Sequence, residues 1–130
     1  MSIDAMKLHG AFSWNELMTN DVAGAKAFYS ELLGWTLTDM DSSCGSYTMA
    51  KSGETEVAGI MATPAEAENM PPNWGAYVTV NDADSMGSRV EKLGGKVCVP
   101  PQDIPDVGRF TVIQDPQGAL LMLISYFKKD

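Results

Sequence analysis

Apolar residues in the first half of the chain alternate over short stretches and follow helical spacing over one longer stretch. Alternation over Phe12–Thr19 places large side chains on one face and predicts a strand. From Val22 the spacing becomes helical, with Asn20 or Asp21 as the N-cap and Gly34 as the residue that ends the helix. Three more strands are predicted after this helix, over Trp35–Met40, Gly45–Lys51 and Glu56–Thr63.

The second half repeats this order of elements. A strand over Gly75–Val80 precedes a helix that is capped by Asn81 or Asp82 and stopped by Gly94-Gly95. The strands that follow are predicted over Lys96–Val99, Phe110–Gln114 and Ala119–Tyr126. Pro100-Pro101 is predicted to end the first of these strands. Asp115-Pro116-Gln117-Gly118 is predicted to form the turn between the last two.

The two halves align with each other at a nearly constant offset. A shift of 61 positions pairs Asp21 with Asp82, Leu32 with Leu93, Gly34 with Gly95, and Gly59 with Leu120. A shift of 63 positions pairs Tyr47 with Phe110. We therefore predict an α+β fold in a single domain, residues 1–130, with module 1 over about 12–63, a linker over 64–73 and module 2 over about 74–126.

Composition and charge narrow the class of partner. The 130 residues include 9 Lys plus Arg and 17 Asp plus Glu, a formal net charge of −8. Nucleic acids and anionic membrane surfaces both need basic clusters, so neither is an expected partner. The chain is 45% hydrophobic, which excludes intrinsic disorder. Neither a membrane-spanning stretch nor a signal peptide is expected.

Cysteine and histidine counts restrict the chemistry further. Cys44 and Cys98 are too few for a disulfide framework, which favours a cytoplasmic protein with free thiols, although their pairing stays open. His9 is the single histidine and lies in a short leader before the first strand. Metal sites with two histidines are therefore excluded, and catalysis by a Ser-His-Asp or Cys-His arrangement is not expected.

Several motifs lie at corresponding places in a known superfamily. They are Asp21 followed by Ala27-Phe28-Tyr29 and Leu33-Gly34-Trp35, then Gly94-Gly95, then Asp115-Pro116-Gln117-Gly118. With Trp14-Asn15-Glu16-Leu17, the pattern resembles the vicinal oxygen chelate superfamily of glyoxalase, bleomycin-resistance and extradiol-dioxygenase proteins, within a glyoxalase-like group of small bacterial proteins. The resemblance implies two tandem βαβββ modules that form a curved mixed sheet around a cavity, a small-molecule ligand in the cup, and a homodimer.

Some members of this superfamily hold a divalent metal with residues from the first and last strands of each module. The matching positions here are Trp14, Met61, Gly75 and Met122. An indole and a glycine do not ligate, and a thioether is a poor ligand for Mg, Mn, Fe or Zn. Sliding the alignment by two residues leaves Glu16 as the one good ligand, so no metal or other cofactor is expected.

Glu16 is the candidate catalytic residue. It shares a face with large apolar side chains, where desolvation is expected to raise the pKa of a carboxyl group and make it a base for proton abstraction. The alternative is a structural carboxylate paired with a buried N–H group or an arginine.

The other candidate ligand-binding residues each have a structural alternative. Aromatic rings give flat surfaces, methionines an adaptable wall, and an arginine can clamp an acid; these candidates are Trp14, Tyr47, Met61, Trp74, Tyr77, Arg109 and Met122. The alternatives are ordinary core positions for the tryptophans and methionines, a solvated tyrosine for Tyr47, and an exposed ion pair for Arg109.

Three functional hypotheses follow. The first is a metal-free protein that binds a small molecule in the cup. The second is an enzyme of lyase or isomerase type that uses Glu16 as general base, with or without a divalent metal. The third is a dimer that acts only through protein partners.

Overall fold

The computed structural model describes residues 4–42, 45–63, 65, 69–104 and 107–127. After a 3-10 turn at Ala5–Lys7, the first half contains β1 (Phe12–Thr19), α1 (Val22–Leu33), β2 (Thr36–Ser42), β3 (Gly45–Ser52) and β4 (Thr55–Ala62). The second half contains β5 (Asn73–Thr79), α2 (Ala83–Lys92), β6 (Lys96–Ile104), β7 (Gly108–Gln114) and β8 (Leu120–Tyr126). The predicted α+β class with tandem βαβββ modules is confirmed.

The chain divides into two compact units that follow the two modules. Module 1 is Trp14–Gly75, and module 2 joins the described residues before Trp14 to those after Gly75. In module 1 the strand order is β2-β3-β4-β1, with β1 parallel to β4 and the other neighbours antiparallel. In module 2 the order β5-β8-β7-β6 repeats this arrangement, with β5 parallel to β8.

Both helices begin and end where the sequence predicts. The Asp21 carboxylate accepts a hydrogen bond from the backbone N–H of Gly24, and the Asp82 carboxylate accepts one from Asp84. Each bond satisfies an N–H group that has no partner within its helix. Gly34 ends α1 in the left-handed conformation with φ of 70°, which glycine adopts without steric cost.

The predicted end of β6 at Pro100-Pro101 is wrong. The strand continues to Ile104, and its pairing with β7 shifts register between Val97 and Val99 and again between Val99 and Gln102. β6 lies at the edge of the module 2 sheet, where a proline without an N–H group removes no hydrogen bond from a neighbouring strand. The irregular pairing thus accommodates two prolines that would break a central strand.

The segment before β1 is held by module 2 and is more than a leader. The backbone of Gly10 donates to Thr79, and Thr79 donates to Ala11, at 2.7 and 2.8 Å. The Nδ1 atom of His9 accepts a hydrogen bond from the backbone of Asn81. His9 therefore has a structural contact that the sequence did not indicate.

The apolar core of module 2 lies between α2 and its sheet. Its buried members are Val78, Val80, Ala83, Val90, Ile113 and Leu123. In module 1 the sheet face toward α1 buries Leu17 and Ile60, but no residue of α1 itself is buried. Of the described helices, none is long and apolar enough to cross a membrane. Cys98 is a free, half-buried thiol, whereas Cys44 and part of the predicted linker lie outside the described residues.

Candidate functional site

Module 1 has one sheet face toward α1 and one face turned away from it. Lys26 of α1 donates to Asp39 of β2, and Thr48 of β3 donates to the same carboxylate, so these side chains mark the helix face. Side chains of the opposite parity project from the other face, which we call the open face. Among them are Trp14, Glu16, Met18, Met40, Tyr47, Met49 and Met61.

Glu16 is a charged residue of the open face, and it is almost completely buried. Its side chain is 2% exposed, and its Cα partner across the parallel pair β1–β4 is Gly59. Removing a carboxylate from water is costly unless hydrogen bonds or charges compensate. A group held in this way is oriented by its surroundings, and it differs from the freely solvated acids that give the chain its net charge.

A hydrogen-bonded aromatic pair lies next to this position. The indole N–H of Trp14 donates to the phenol oxygen of Tyr47 at 3.0 Å. A Cβ atom at Gly59 would overlap the phenol ring and hydroxyl of Tyr47, so the ring lies directly over the glycine backbone. The Tyr47 oxygen accepts from Trp14, and a phenol can also donate through its O–H group. Glu16 is opposite Gly59, so the register brings the phenol and the carboxylate into the same neighbourhood.

Four methionines also lie on the open face. Met18 is paired with Met61 across β1–β4, Met61 with Tyr47 across β3–β4, and Tyr47 with Met40 across β2–β3. Met49 lies opposite Gly59. Burial decreases across this row, from Met18, which is buried, to Met40, which is exposed. Unbranched thioether side chains conform to partners of irregular shape and contact aromatic rings favourably.

The corresponding face of module 2 is apolar. Tyr77 pairs with Met122 across the parallel pair β5–β8, and both side chains are buried. The Phe110 ring lies 6.4 Å from that of Tyr77 at a tilt of 58°. Phe110 occupies the repeat position of Tyr47, and the strand register places Met122, not Leu120, at that of Gly59, so module 2 lacks both a phenol and a glycine at these two positions.

Two of the predicted ligand-binding residues lie on helix faces. Arg109 donates at 2.9 Å to Asp84 of α2 and at 2.9 Å to Asp103 of β6, and these hydrogen bonds raise the pKa of its guanidinium. The Trp74 indole donates to the Tyr29 hydroxyl of α1. The predicted residues are therefore grouped as Trp14, Glu16, Tyr47 and Met61 in module 1 and Tyr77 with Met122 in module 2, with Trp74 and Arg109 apart.

The sequence analysis missed the part played by Gly59. A glycine inside a strand often marks the close approach of another group. The sequence offset of 61 pairs Gly59 with Leu120, and the strand register corrects this partner to Met122. Both are large residues, so the comparison of halves already contained the signal. Met40 was missed as well, because the strand that carries it was recognised but its face was not assigned.

The donor groups do not fit a divalent metal of the Mg, Mn, Fe or Zn type. Module 1 presents the indole of Trp14, the thioether of Met61 and a single carboxylate, Glu16, while module 2 presents the thioether of Met122. Among the described residues, no group of three or more His, Cys, Asp or Glu side chains could hold a metal ion. No chemical step is therefore derived through a metal.

The chain resembles curated proteins over most of its length. It is 40% identical over 116 residues to "Putative glyoxylase CFP32" of Mycobacterium tuberculosis, covering 88% of this chain and 44% of that one. It is 37% identical over 123 residues to "Anthracycline biosynthesis protein DauV" of a Streptomyces species, covering 85% of this chain and 45% of the relative. The chain thus spans less than half the length of both curated relatives.

Solved structures share the fold at low sequence identity. Methylmalonyl-CoA epimerase from Mycobacterium tuberculosis superposes with a TM-score of 0.60 at 17% identity, covering 95% of this chain and 91% of that one. Homoprotocatechuate 2,3-dioxygenase from B. fuscum superposes with a TM-score of 0.59 at 15% identity, covering 90% of this chain and 32% of that one. These similarities confirm the resemblance drawn from the motifs at the level of fold.

A family model supplies the final comparison. It matches residues 11–123, nearly the whole of both modules. The chain belongs to the Glyoxalase/Bleomycin resistance protein/Dioxygenase superfamily.

Proposed function

We propose that this chain binds a small, planar organic molecule on the open face of module 1 without a metal ion. The observation that carries the proposal is the buried carboxylate of Glu16 on the same face as the hydrogen-bonded pair Trp14–Tyr47. Structural cores rarely place a carboxylate among methionines and aromatic rings, because its desolvation is costly. A polar group among apolar walls is the usual composition of a small-molecule site.

Each part of the face has a distinct task in this proposal. The rings of Trp14 and Tyr47 offer flat surfaces, and their hydrogen bond fixes the two rings before a ligand arrives. The methionines adjust to the outline of the ligand. Glu16 accepts a hydrogen bond from a ligand hydroxyl or pairs with a ligand cation. The net charge of −8 favours neutral and cationic ligands over anionic ones.

Anthracyclines fit this chemistry and supply a practical probe. A curated relative is named for anthracycline biosynthesis, which motivates the choice. These compounds have fused planar rings for the aromatic and thioether groups, and daunorubicin adds hydroxyl groups and an amino-sugar cation for a carboxylate. Daunorubicin is also fluorescent, so binding is measured directly by quenching.

The experiment is a fluorescence titration of daunorubicin with wild-type protein and three variants. We expect saturable binding by the wild type and roughly tenfold or greater weakening by Glu16→Gln and by Tyr47→Phe. Arg109→Lys on the helix face of module 2 serves as the matched control and leaves the dissociation constant unchanged. Equal affinity in wild type and Glu16→Gln contradicts the assignment to this face. A wild-type protein that binds neither daunorubicin nor bleomycin contradicts the proposed ligand class.

A glyoxalase-type isomerisation is the second candidate. The burial of Glu16 favours it, together with the name of the mycobacterial relative. In such a step the Glu16 carboxylate takes a proton from a hydroxyl-bearing carbon beside a carbonyl group and returns it to the former carbonyl carbon, while the hydroxyl proton passes to the other oxygen. No external oxidant or reductant is consumed. In this candidate the Tyr47 hydroxyl donates to the oxygen on which negative charge develops.

The hemithioacetal of methylglyoxal and glutathione tests this candidate, since its product is a thioester that absorbs in the ultraviolet. Turnover by the wild type that is lost in Glu16→Gln, with binding and folding retained, supports the enzyme. Saturable daunorubicin binding without thioester formation supports the binding protein. Loss of both binding and turnover in Glu16→Gln assigns the carboxylate to ligand binding and contradicts its use as a base.

A further inference from the structure

The methionines of this chain are concentrated on one surface. The sequence contains 9 methionines, and four of them lie on the open face of module 1, namely Met18, Met40, Met49 and Met61. Leucine fills an apolar position as well as methionine does, whereas a thioether can also be oxidised reversibly to a sulfoxide. The open face therefore has a redox chemistry that aliphatic side chains would not give it.

The four methionines differ in their access to solvent. Met40 is 46% exposed and lies on β2, a strand at the edge of the sheet. Met49 and Met61 are half-buried, and Met18 is 6% exposed. Oxidation of a sulfur atom depends on the access of the oxidant to it. A dissolved peroxide therefore reaches Met40 before it reaches the other three.

Met40 is also next to the aromatic part of the open face. Its Cα partner across β2–β3 is Tyr47, and side chains at directly opposed positions have their Cβ atoms roughly 4.5–5.5 Å apart. The Tyr47 oxygen accepts the indole N–H of Trp14 at 3.0 Å. A change of polarity at Met40 therefore acts on the immediate surroundings of Tyr47.

We propose that Met40 is a site of reversible oxidation that controls ligand binding on the open face, an inference that rests on the proposed function. Hydrogen peroxide is the oxidant. Its O–O bond breaks, one oxygen atom bonds to the Met40 sulfur, and the other oxygen leaves with both protons as water. The thioether loses two electrons and becomes a sulfoxide, and the peroxide gains them. Methionine sulfoxide reductases reverse the change with electrons from a thiol.

Oxidation changes what the open face offers to a planar organic molecule. A thioether adjusts its shape and contacts aromatic rings favourably, whereas a sulfoxide is polar and its oxygen accepts hydrogen bonds. Beside Tyr47, that oxygen competes for the hydrogen bonds that hold the Trp14–Tyr47 pair. Covering the sulfoxide with an apolar ligand also removes its hydration, which is costly. The oxidised protein therefore binds such a ligand more weakly.

Daunorubicin titration of peroxide-treated protein tests the proposal, with mass spectrometry of peptides to locate each sulfoxide. We expect Met40 to be oxidised before Met49 and Met61, and the dissociation constant to rise about tenfold. Treatment with methionine sulfoxide reductases and dithiothreitol is expected to restore the original constant. Met40→Leu keeps an apolar side chain without sulfur and is expected to bind equally well before and after peroxide.

The matched control is Met6→Leu. Among the methionines that the structure describes, Met6 and Met40 are the two exposed ones, at 44% and 46%, and Met6 lies in the 3-10 turn before β1. Met6→Leu is expected to lose affinity on oxidation as the wild type does. Unchanged affinity with a sulfoxide at Met40, or an equal loss of affinity in Met40→Leu, overturns the proposal. Oxidation of Met49 and Met61 ahead of Met40 overturns it as well.

Failure of the proposed function is recognised separately. Untreated wild type that does not bind daunorubicin contradicts the ligand class, and near-ultraviolet circular dichroism then reports the effect of oxidation on the aromatic side chains. The spectrum is expected to change in wild type and in Met6→Leu but not in Met40→Leu. An unchanged spectrum in wild type with a sulfoxide at Met40 overturns the coupling between Met40 and the Trp14–Tyr47 pair.

Discussion

The two modules share one order of elements and distribute their apolar surface in opposite ways. In module 2 the helix buries Ala83 and Val90 against the sheet, and the sheet face turned away from α2 is apolar, with Tyr77 and Met122. In module 1 no helix residue is buried, and the corresponding sheet face contains the carboxylate of Glu16. The two modules therefore share one backbone arrangement, while their side chains have different roles.

We therefore expect module 2 to contribute mainly to stability and module 1 mainly to recognition. Module 2 contains the cluster of buried aliphatic residues that gives a fold its free energy of unfolding. Module 1 contains a buried acid, Glu16, on its open face and exposed apolar side chains, Phe28, Leu32 and Leu33, on its helix. Substitutions in the two modules should therefore have different consequences, and each substitution in one module has a control in the other.

The largest expected effect is on the core of module 2. Leu123→Ala removes a buried side chain that packs in the α2 cluster and is expected to lower the free energy of unfolding by about 3 kcal/mol. Leu32→Ala on α1 removes the same atoms from an exposed position and is expected to change it by less than about 0.5 kcal/mol at low protein concentration. Urea unfolding measures both. Equal losses would contradict the contrast between the two helices.

A second effect is expected at the position where the modules differ by a glycine. Gly59→Leu drives a side chain into the Tyr47 ring, for an expected cost of about 2 kcal/mol. Daunorubicin binding should be lost together with this stability, because the ring can no longer lie over the strand. The control is Leu120→Ala at an exposed position of β8, which is expected to leave ligand binding unchanged. Unaltered stability in Gly59→Leu would show that Tyr47 has room to move.

A third effect concerns the hydrogen bond between Trp14 and Tyr47. Tyr47→Phe reproduces the residue that module 2 has at Phe110 and is expected to lower the free energy of unfolding by about 1 kcal/mol. Combining it with Trp14→Phe in a double-mutant cycle should give a coupling energy of at least about 0.5 kcal/mol. Phe110→Tyr in module 2 is the control and should show no coupling to Trp14→Phe. Additive losses of unfolding free energy in the Trp14–Tyr47 cycle would contradict an interaction between these two side chains.

The smallest effect involves the ion pairs that join each helix to its sheet. In module 1 the cation Lys26 is on the helix and the acid Asp39 on the sheet, whereas in module 2 the acid Asp84 is on the helix and Arg109 on the sheet. The hydrogen bonds from Lys26 and Thr48 hold the pKa of Asp39 below its usual value. Ionised Asp39 therefore stabilises the fold above about pH 4, and this contribution is lost as the pH falls through the lowered pKa.

Asp39→Asn tests that sign. The variant should melt slightly below the wild type at neutral pH, and the difference should close at acid pH and at high salt, since the pair is exposed to solvent. Asp84→Asn provides the counterpart in module 2. A difference in melting temperature that grows on acidification would contradict the direction of the pKa shift.

Much of the fold could be predicted from the sequence because its signals are local. Asp21 and Gly34 bound α1 as expected, and the turn at Asp115 forms with its carboxylate accepting from the backbone of Gln117 and Ala119. The end of β6 could not be predicted from Pro100 and Pro101, since the outcome depended on the strand lying at an edge of the sheet. Edge position is a property of the assembled sheet.

The candidate site shows the same limit. Alternation along β1 predicted that Trp14 and Glu16 share a face, and the strand pairing adds Tyr47 and Met61 to that face. Arg109 and Trp74 were singled out for their chemistry, but alternation alone did not indicate that their partners would be Asp84, Asp103 and Tyr29. The position of a side chain across strands depends on register, which the sequence of one strand does not contain.

The attachment of the first residues to module 2 has a consequence for how the chain forms during synthesis. Module 1 is one contiguous stretch, Trp14–Gly75, and can complete its contacts as soon as it leaves the ribosome. The residues before it must wait, because Gly10 and Ala11 are held by Thr79, which is made much later. Gly10 and Ala11 therefore reach their place only after β5 has been made, although they are synthesised before module 1.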